Sequence, residues 1–138
     1  MDRTHLLDLS ARFVDAFNRN DLDAVMAFFS EDGVYDEFNG RRNVGKAAIR
    51  AAFEPQFSGA FGAMKFIDED MFVDPEAGKV MASWRCTLTV KGEPTSWRGL
   101  DRCTSRATSW CRSSLTPRPR SRCSRAEDRG PRAIATLL

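Results

Sequence analysis

Apolar residues recur every three or four positions at the start of the chain and every second position later on, and the change of period divides it. In THLLDLSARFVDAFN, residues 4–18, Leu6, Leu9, Phe13 and Phe17 mark one face of a helix. Leu7 and Val14 widen that face, while Asp8, Arg12 and Asp15 fall on the opposite side; Thr4 is the predicted N-cap. RND makes a turn, Asp21 can cap a second, shorter helix through Phe29, and SEDG ends it. VYDEF reads as a short strand with adjacent carboxylates, Asp36 and Glu37, and stops at NG. After RRNVG, KAAIRAAFEPQF is helical, with Ile49 and Phe53 one turn apart, until Pro55 breaks or closes it.

From residue 63 the period shortens. AMKFIDEDMFVD and KVMASWRCTLTV are strands separated by PEAG. In the second, Val80, Ala82, Trp84, Cys86, Leu88 and Val90 share one face, and Ser83, Arg85, Thr87 and Thr89 the other. KGEP turns the chain and TSWRGLD begins a further strand, on which Trp97, Gly99 and Asp101 share a face. Two helices, a strand, a helix and an antiparallel meander predict an α+β domain, its helices packed on one curved sheet.

Composition complicates this at residue 102. Residues 1–101 hold thirteen of the fourteen aromatics and twelve Lys and Arg against seventeen Asp and Glu, a net charge of −5. Residues 102–138 carry nine arginines, no lysine and two acids, a net charge of +7, and Trp110 is their one aromatic. The overall +2 hides these opposed halves. The expected organisation is therefore a domain over 1–101, incomplete at its C-terminal end, and an Arg/Ser/Pro-rich tail over 102–138, disordered or out of frame. Pro117, Pro119 and the Arg/Ser alternation oppose strand and helix alike, so the last strands of the meander are expected to be missing.

Three readings of the tail compete: a basic nucleic-acid-binding arm, a disordered appendage and a frameshift. The charge suits phosphate binding, but one aromatic for stacking and no recognisable module make nucleic acid a poor expectation. A frameshift is the favoured reading. Regrouping the third base of each codon with the first two of the next forces Val from Trp110–Cys111, and synonymous codons elsewhere permit an apolar strand, a turn and a second strand.

Four cysteines, Cys86, Cys103, Cys111 and Cys123, lack paired C-x-x-C spacing, and His5 is the one histidine, so neither a metal nor a cofactor is expected. No N-terminal stretch looks like a signal peptide, and the apolar run AVMAFF is short and lies within a helical pattern, which predicts a cytoplasmic protein away from the membrane.

RFVDAFNRNDLDAVMAFFSEDGVYDEF followed by GKAAIRAAF resembles the nuclear transport factor 2-like superfamily, in particular its SnoaL-like and ketosteroid-isomerase-like branch. The resemblance covers residues 6–101. It implies a cone-shaped fold in which three helices and a bent sheet enclose an apolar pocket, commonly in a homodimer. Ketosteroid isomerase moves a proton alpha to a carbonyl with a carboxylate base and an oxyanion hole made by a tyrosine and a protonated aspartic acid. By position, the resemblance puts Glu37 at the base and Asp101 at the acid.

The tyrosine position falls on Phe13, which cannot donate a hydrogen bond. Losing one oxyanion donor costs about 2.7–4 kcal/mol in a hydrolase, which argues against steroid isomerisation itself but leaves other pocket chemistry open. Phe13, Tyr35, Trp84 and Trp97 are the candidate substrate-binding residues, although aromatics on such faces more often build core or pocket wall. Asp68, Glu69 and Asp70 alternate faces and are expected to be solvated. The expected partner is a small apolar molecule, with a homodimer if the sheet is complete. A polyketide cyclase-like or isomerase-like enzyme and a non-catalytic ligand-binding or dimerisation module are both compatible with these residues, as is an inactive chain if the frame is broken.

Overall fold

A computed structural model describes residues 2–37, 39–106 and 109–115. Helices α1 (Arg3–Asn18), α2 (Leu22–Met26) and α3 (Lys46–Phe57) pack on a six-stranded sheet. Its strands are β1 (Val34–Asp36), β2 (Arg42–Val44), β3 (Lys65–Asp74), β4 (Lys79–Val90), β5 (Glu93–Arg106) and β6 (Ser109–Leu115). They lie in the order β2-β1-β6-β5-β4-β3. Every neighbouring pair is antiparallel except β1 and β6, which run parallel. This is the expected α+β fold with three helices on one sheet.

The helices start where side chains can satisfy their first amides. Asp2, rather than the expected Thr4, caps α1 and accepts from the His5 backbone N–H at 2.8 Å. That position offers a carboxylate to an otherwise unpaired donor, and Thr4 already lies inside the first turn. Asp21 caps α2 as expected, accepting from Ala24 N–H at 2.9 Å, but the regular helix ends at Met26 and turns carry the chain on. Pro55 lies within the last turn of α3, where its missing N–H costs a single bond, and the helix continues to Phe57.

The core is aromatic. Phe17 sits at its centre, 5.1 Å from Phe13, 5.4 Å from Phe53 and 5.7 Å from Phe66, all in edge-on geometry. Such pairs add roughly 0.5–1.5 kcal/mol each beyond burial. Leu6, Val25, Ile49, Val80 and Cys86 are fully enclosed beside them. Asn18, at the end of α1, clamps the outermost strand: its side-chain amide donates to Phe66 C=O and accepts from Phe66 N–H, both at 2.8 Å. The helix layer is thereby fixed to the strand edge by a pair of hydrogen bonds that imitates a neighbouring strand.

Two differences from the sequence reading concern the sheet. RRNVG contains a strand, β2, which pairs with β1 from Val34↔Val44 to Asp36↔Arg42. The expectation that no strand follows Asp101 is overturned: β5 runs on to Arg106, and β6 pairs with it from Leu100↔Leu115 to Arg106↔Ser109. The physical reason is visible in the alternation. Cys103 and Ser105 are buried and Arg102 is exposed, so small residues continue the inward face of β5 although the composition has changed. Pro117 and Pro119 lie outside the described residues.

Candidate functional site

Three strands present their inner faces to α1. Across them run the rows Phe66–Cys86–Trp97 and Asp68–Trp84–Gly99, followed by Ala82 opposite Asp101. Beneath α1 this surface encloses a small cavity lined by Phe13, Val14 and Phe17 from the helix and by Phe66, Asp68, Trp84 and Asp101 from the sheet. About 10 Å³ of it is open to the centre of a water molecule. That is room for one water, far below the roughly 300–1,000 Å³ of a small-molecule pocket. A larger ligand has to displace some of the aromatic side chains that close it.

Trp84 is placed by a glycine. Its cross-strand partner is Gly99, and a Cβ there would lie 2.3 Å from the Trp84 ring, so only glycine lets the indole lie across β5. Asp101, two residues further along the same face, is 7% exposed. A carboxylate this deep is costly unless other groups compensate it, and Asp101 does have partners within the fold.

Asp68 was expected to be solvated, and the structure corrects this: it is half-buried and lines the cavity. Alternation from the inward Phe66 places Asp68 on that face, and a bulge follows it. Asp68 pairs with Trp84 and Asp70 with Ser83, which leaves Glu69 as an extra residue. Phe66 and Asp68 before the bulge therefore share the inner face with Met71 and Val73 after it. Glu69 turns outward to meet Arg85 at 3.4 Å and Arg98 at 3.2 Å.

The other expected site residues divide. Phe13, Trp84 and Asp101 meet at the cavity, whereas Glu37, Tyr35 and Trp97 are not among its lining residues. Glu37 follows β1, where its backbone closes the turn to β2 and Asn43 donates to its carboxylate at 2.9 Å. Tyr35 stacks on Phe53 at 4.6 Å and belongs to the aromatic core. Trp97 packs against the core from β5. The buried indole nitrogens of Trp84 and Trp97 find no acceptor among the described residues. Those residues also contain no cluster of three His, Cys, Asp or Glu side chains able to hold a metal ion.

Comparison with known proteins places this geometry. The profile described as a SnoaL-like domain matches residues 10–112. No curated protein matches the sequence significantly. Among solved structures, AclR, a candidate hydroxylase from Streptomyces galilaeus, superimposes with a TM-score of 0.71 at 17% identity, over 86% of this chain and 83% of its own. A candidate polyketide cyclase from Xanthomonas campestris pv. campestris gives 0.67 at 21% identity, over 83% and 90%. The epoxide hydrolase/cyclase-like SalBIII of salinomycin formation gives 0.73 at 14% identity, over 85% and 94%. At these identities the likeness is one of fold.

Proposed function

The chain belongs to the SnoaL-like domain family, and on that premise we propose that it is a small-molecule pocket protein that moves a proton on an apolar, carbonyl-bearing substrate. The observation that carries this reading is Asp101: a buried carboxylate on the inner face of the sheet, in a cavity whose other walls are Phe13, Val14, Phe17, Phe66 and Trp84, with the half-buried Asp68 beside them. A carboxylate held against apolar walls is suited to abstract a proton alpha to a carbonyl and return it to a neighbouring atom. Asp101 takes that role. Glu37, the base that the resemblance implied, becomes the second candidate, because it lies outside the cavity lining and would need its hairpin to shift before reaching a ligand.

TerC, another protein of this fold, was crystallised with polyporic acid, and its TM-score against this chain is 0.68 at 12% identity, over 81% of this chain and 91% of its own. That precedent supports a small organic ligand as the class to try first. Phe72, Ile67 and Met81 stand exposed on the outer face of the sheet, which supports a homodimer through that face.

Hydrogen–deuterium exchange alpha to the carbonyl of 2-tetralone, followed by NMR in D2O, tests the reading. The expected result is exchange above background that drops about 10²–10⁴-fold in Asp101→Asn and survives in Glu37→Gln. The reverse pattern moves the base to Glu37. Binding without exchange favours the second reading, a non-catalytic ligand-binding module. That alternative is motivated by Phe13, which offers no hydrogen bond where the resemblance wants a donor.

A further inference from the structure

Trp84 carries a hydrogen-bond donor into the interior that no described residue uses. The residue is 5% exposed, and no described group accepts from its Nε1–H. An N–H taken out of water without an acceptor costs about 1–3 kcal/mol, and the Gly99 seat holds the indole against β5. The same residue walls a cavity that it shares with two carboxylates, Asp68 and Asp101. Both acids have partners in the fold, but each carboxylate offers several lone pairs and can accept more than one bond. The remaining walls, Phe13, Val14, Phe17 and Phe66, are apolar.

We propose that Trp84, Asp68 and Asp101 form a subsite for a single hydroxyl oxygen, which accepts a hydrogen bond from the indole and donates one to a carboxylate. The size agrees: about 10 Å³ open to a water's centre admits one such oxygen. The chemistry selects among ligands. A carbonyl or ether oxygen satisfies the indole but gives nothing to the acids, and an ammonium group satisfies the acids but not the indole. A hydroxyl satisfies both, so the ligand class is an apolar ring bearing a phenol, enol or alcohol. Water has the same donor and acceptor pattern and is the other source of the oxygen. The ligand part of this inference rests on the pocket reading above; the oxygen subsite does not.

Two measurements on the full chain separate the sources. A crystal structure with ordered waters is expected to show an oxygen within about 3 Å of Trp84 Nε1 and in reach of Asp68 or Asp101. An indole facing no oxygen overturns the proposal. In ¹H–¹⁵N spectra, titration with 2-naphthol is expected to shift the Trp84 indole resonance and to bind at least about tenfold more tightly than 2-methoxynaphthalene. Asp68→Asn or Asp101→Asn should shrink that advantage, and Trp84→Phe should remove the shifted resonance. Equal binding of naphthol and its methyl ether with that resonance unmoved overturns the subsite. An oxygen in the crystal without naphthol binding supports the oxygen subsite and overturns the pocket reading. Should Trp84→Phe fail to fold, the wild-type resonance and the ether comparison decide alone.

Discussion

The indole of Trp84 fills the space in which a side chain at Gly99 would stand: a Cβ at that position would come within 2.3 Å of Cζ2 and 2.5 Å of Cη2. The two residues face each other across β4 and β5, and Gly99 thereby seats the indole that walls the cavity. Gly99→Ala therefore forces the ring or the strand to move. The expected loss is about 1–3 kcal/mol, the usual cost of overpacking, read as a lower urea midpoint with an unchanged slope. Adding Trp84→Phe to that variant should recover part of the loss, because the smaller ring no longer meets the new methyl. Additive losses in the cycle would show that the contact is not the cause.

Asn18 holds the β3 edge through both backbone groups of Phe66. Asn18→Ala leaves those groups without this partner and is expected to cost about 1–3 kcal/mol. Asn18→Asp keeps the acceptor for Phe66 N–H and loses the donor, so it should fall between the two. Amide exchange at Phe66 is the local readout, and it should speed up in Asn18→Ala well before global unfolding does.

On the outer face, Arg85 and Arg98 stand directly opposite each other, and Glu69 meets both. Without that acid, two like charges are left cross-strand, an arrangement that destabilises a sheet. All three side chains touch solvent, so Glu69→Gln is expected to cost under about 1 kcal/mol. Denaturation at low and at 1 M salt checks the origin: the difference should shrink as screening rises, and a salt-independent loss would point to packing instead.

The strand β6 joins the β1–β2 hairpin to the rest of the sheet, because β1 pairs with β6 and β6 with β5. A chain ending at Arg106 should therefore lose amide protection in β1 and β2 relative to one ending at Leu115. It should also melt at a lower temperature. Equal protection in both chains would mean that the helix contacts alone hold the hairpin.

The readable parts of the fold were those in which burial and period coincide. β4 alternates from Lys79 to Leu88, failing only at Val90, which is exposed, and α1 places Leu6, Phe13 and Phe17 on one face, so both were legible from residue types alone. β2 has only three residues and one buried side chain, Asn43, too little pattern to register. β6 was hidden by the Arg/Ser/Pro-rich composition of residues 102–138 taken as a whole, although SWCRSSL itself holds Trp110, Cys111 and Leu115.

At the site, the inward face of Asp101 and Trp84 was legible because alternation along β5 and β4 is regular there, while a role for Asp101 came from the family resemblance. Asp68 lies two residues from the inward Phe66 and takes its face by ordinary alternation, but the bulge at Glu69 puts Met71 and Val73 on that face as well, so the pattern along β3 keeps no single period from which to read it. Tyr35, a candidate for ligand binding, stacks its ring on Phe53, a contact that alternation alone does not reveal. The frameshift reading remains a proposal about the residues from 102 on, and the DNA across the codons for Leu100 to Thr104 decides it.

The parallel pairing of β1 with β6 also sets an order of events during synthesis. Tyr35 leaves the ribosome early, yet its strand waits for Arg112 before it has a second neighbour. Until then the β1–β2 hairpin, the helices and the β3–β5 meander can collapse around the phenylalanine core, but the sheet stays in two pieces. Closing the intervening chain carries an entropic cost that local pairs avoid, so this step should come last and limit the rate. The residues that finish the fold are thus those made last in the described chain. A nascent chain that stalled before Leu115 would expose β1 and β5 as free edges, open to pairing with other strands.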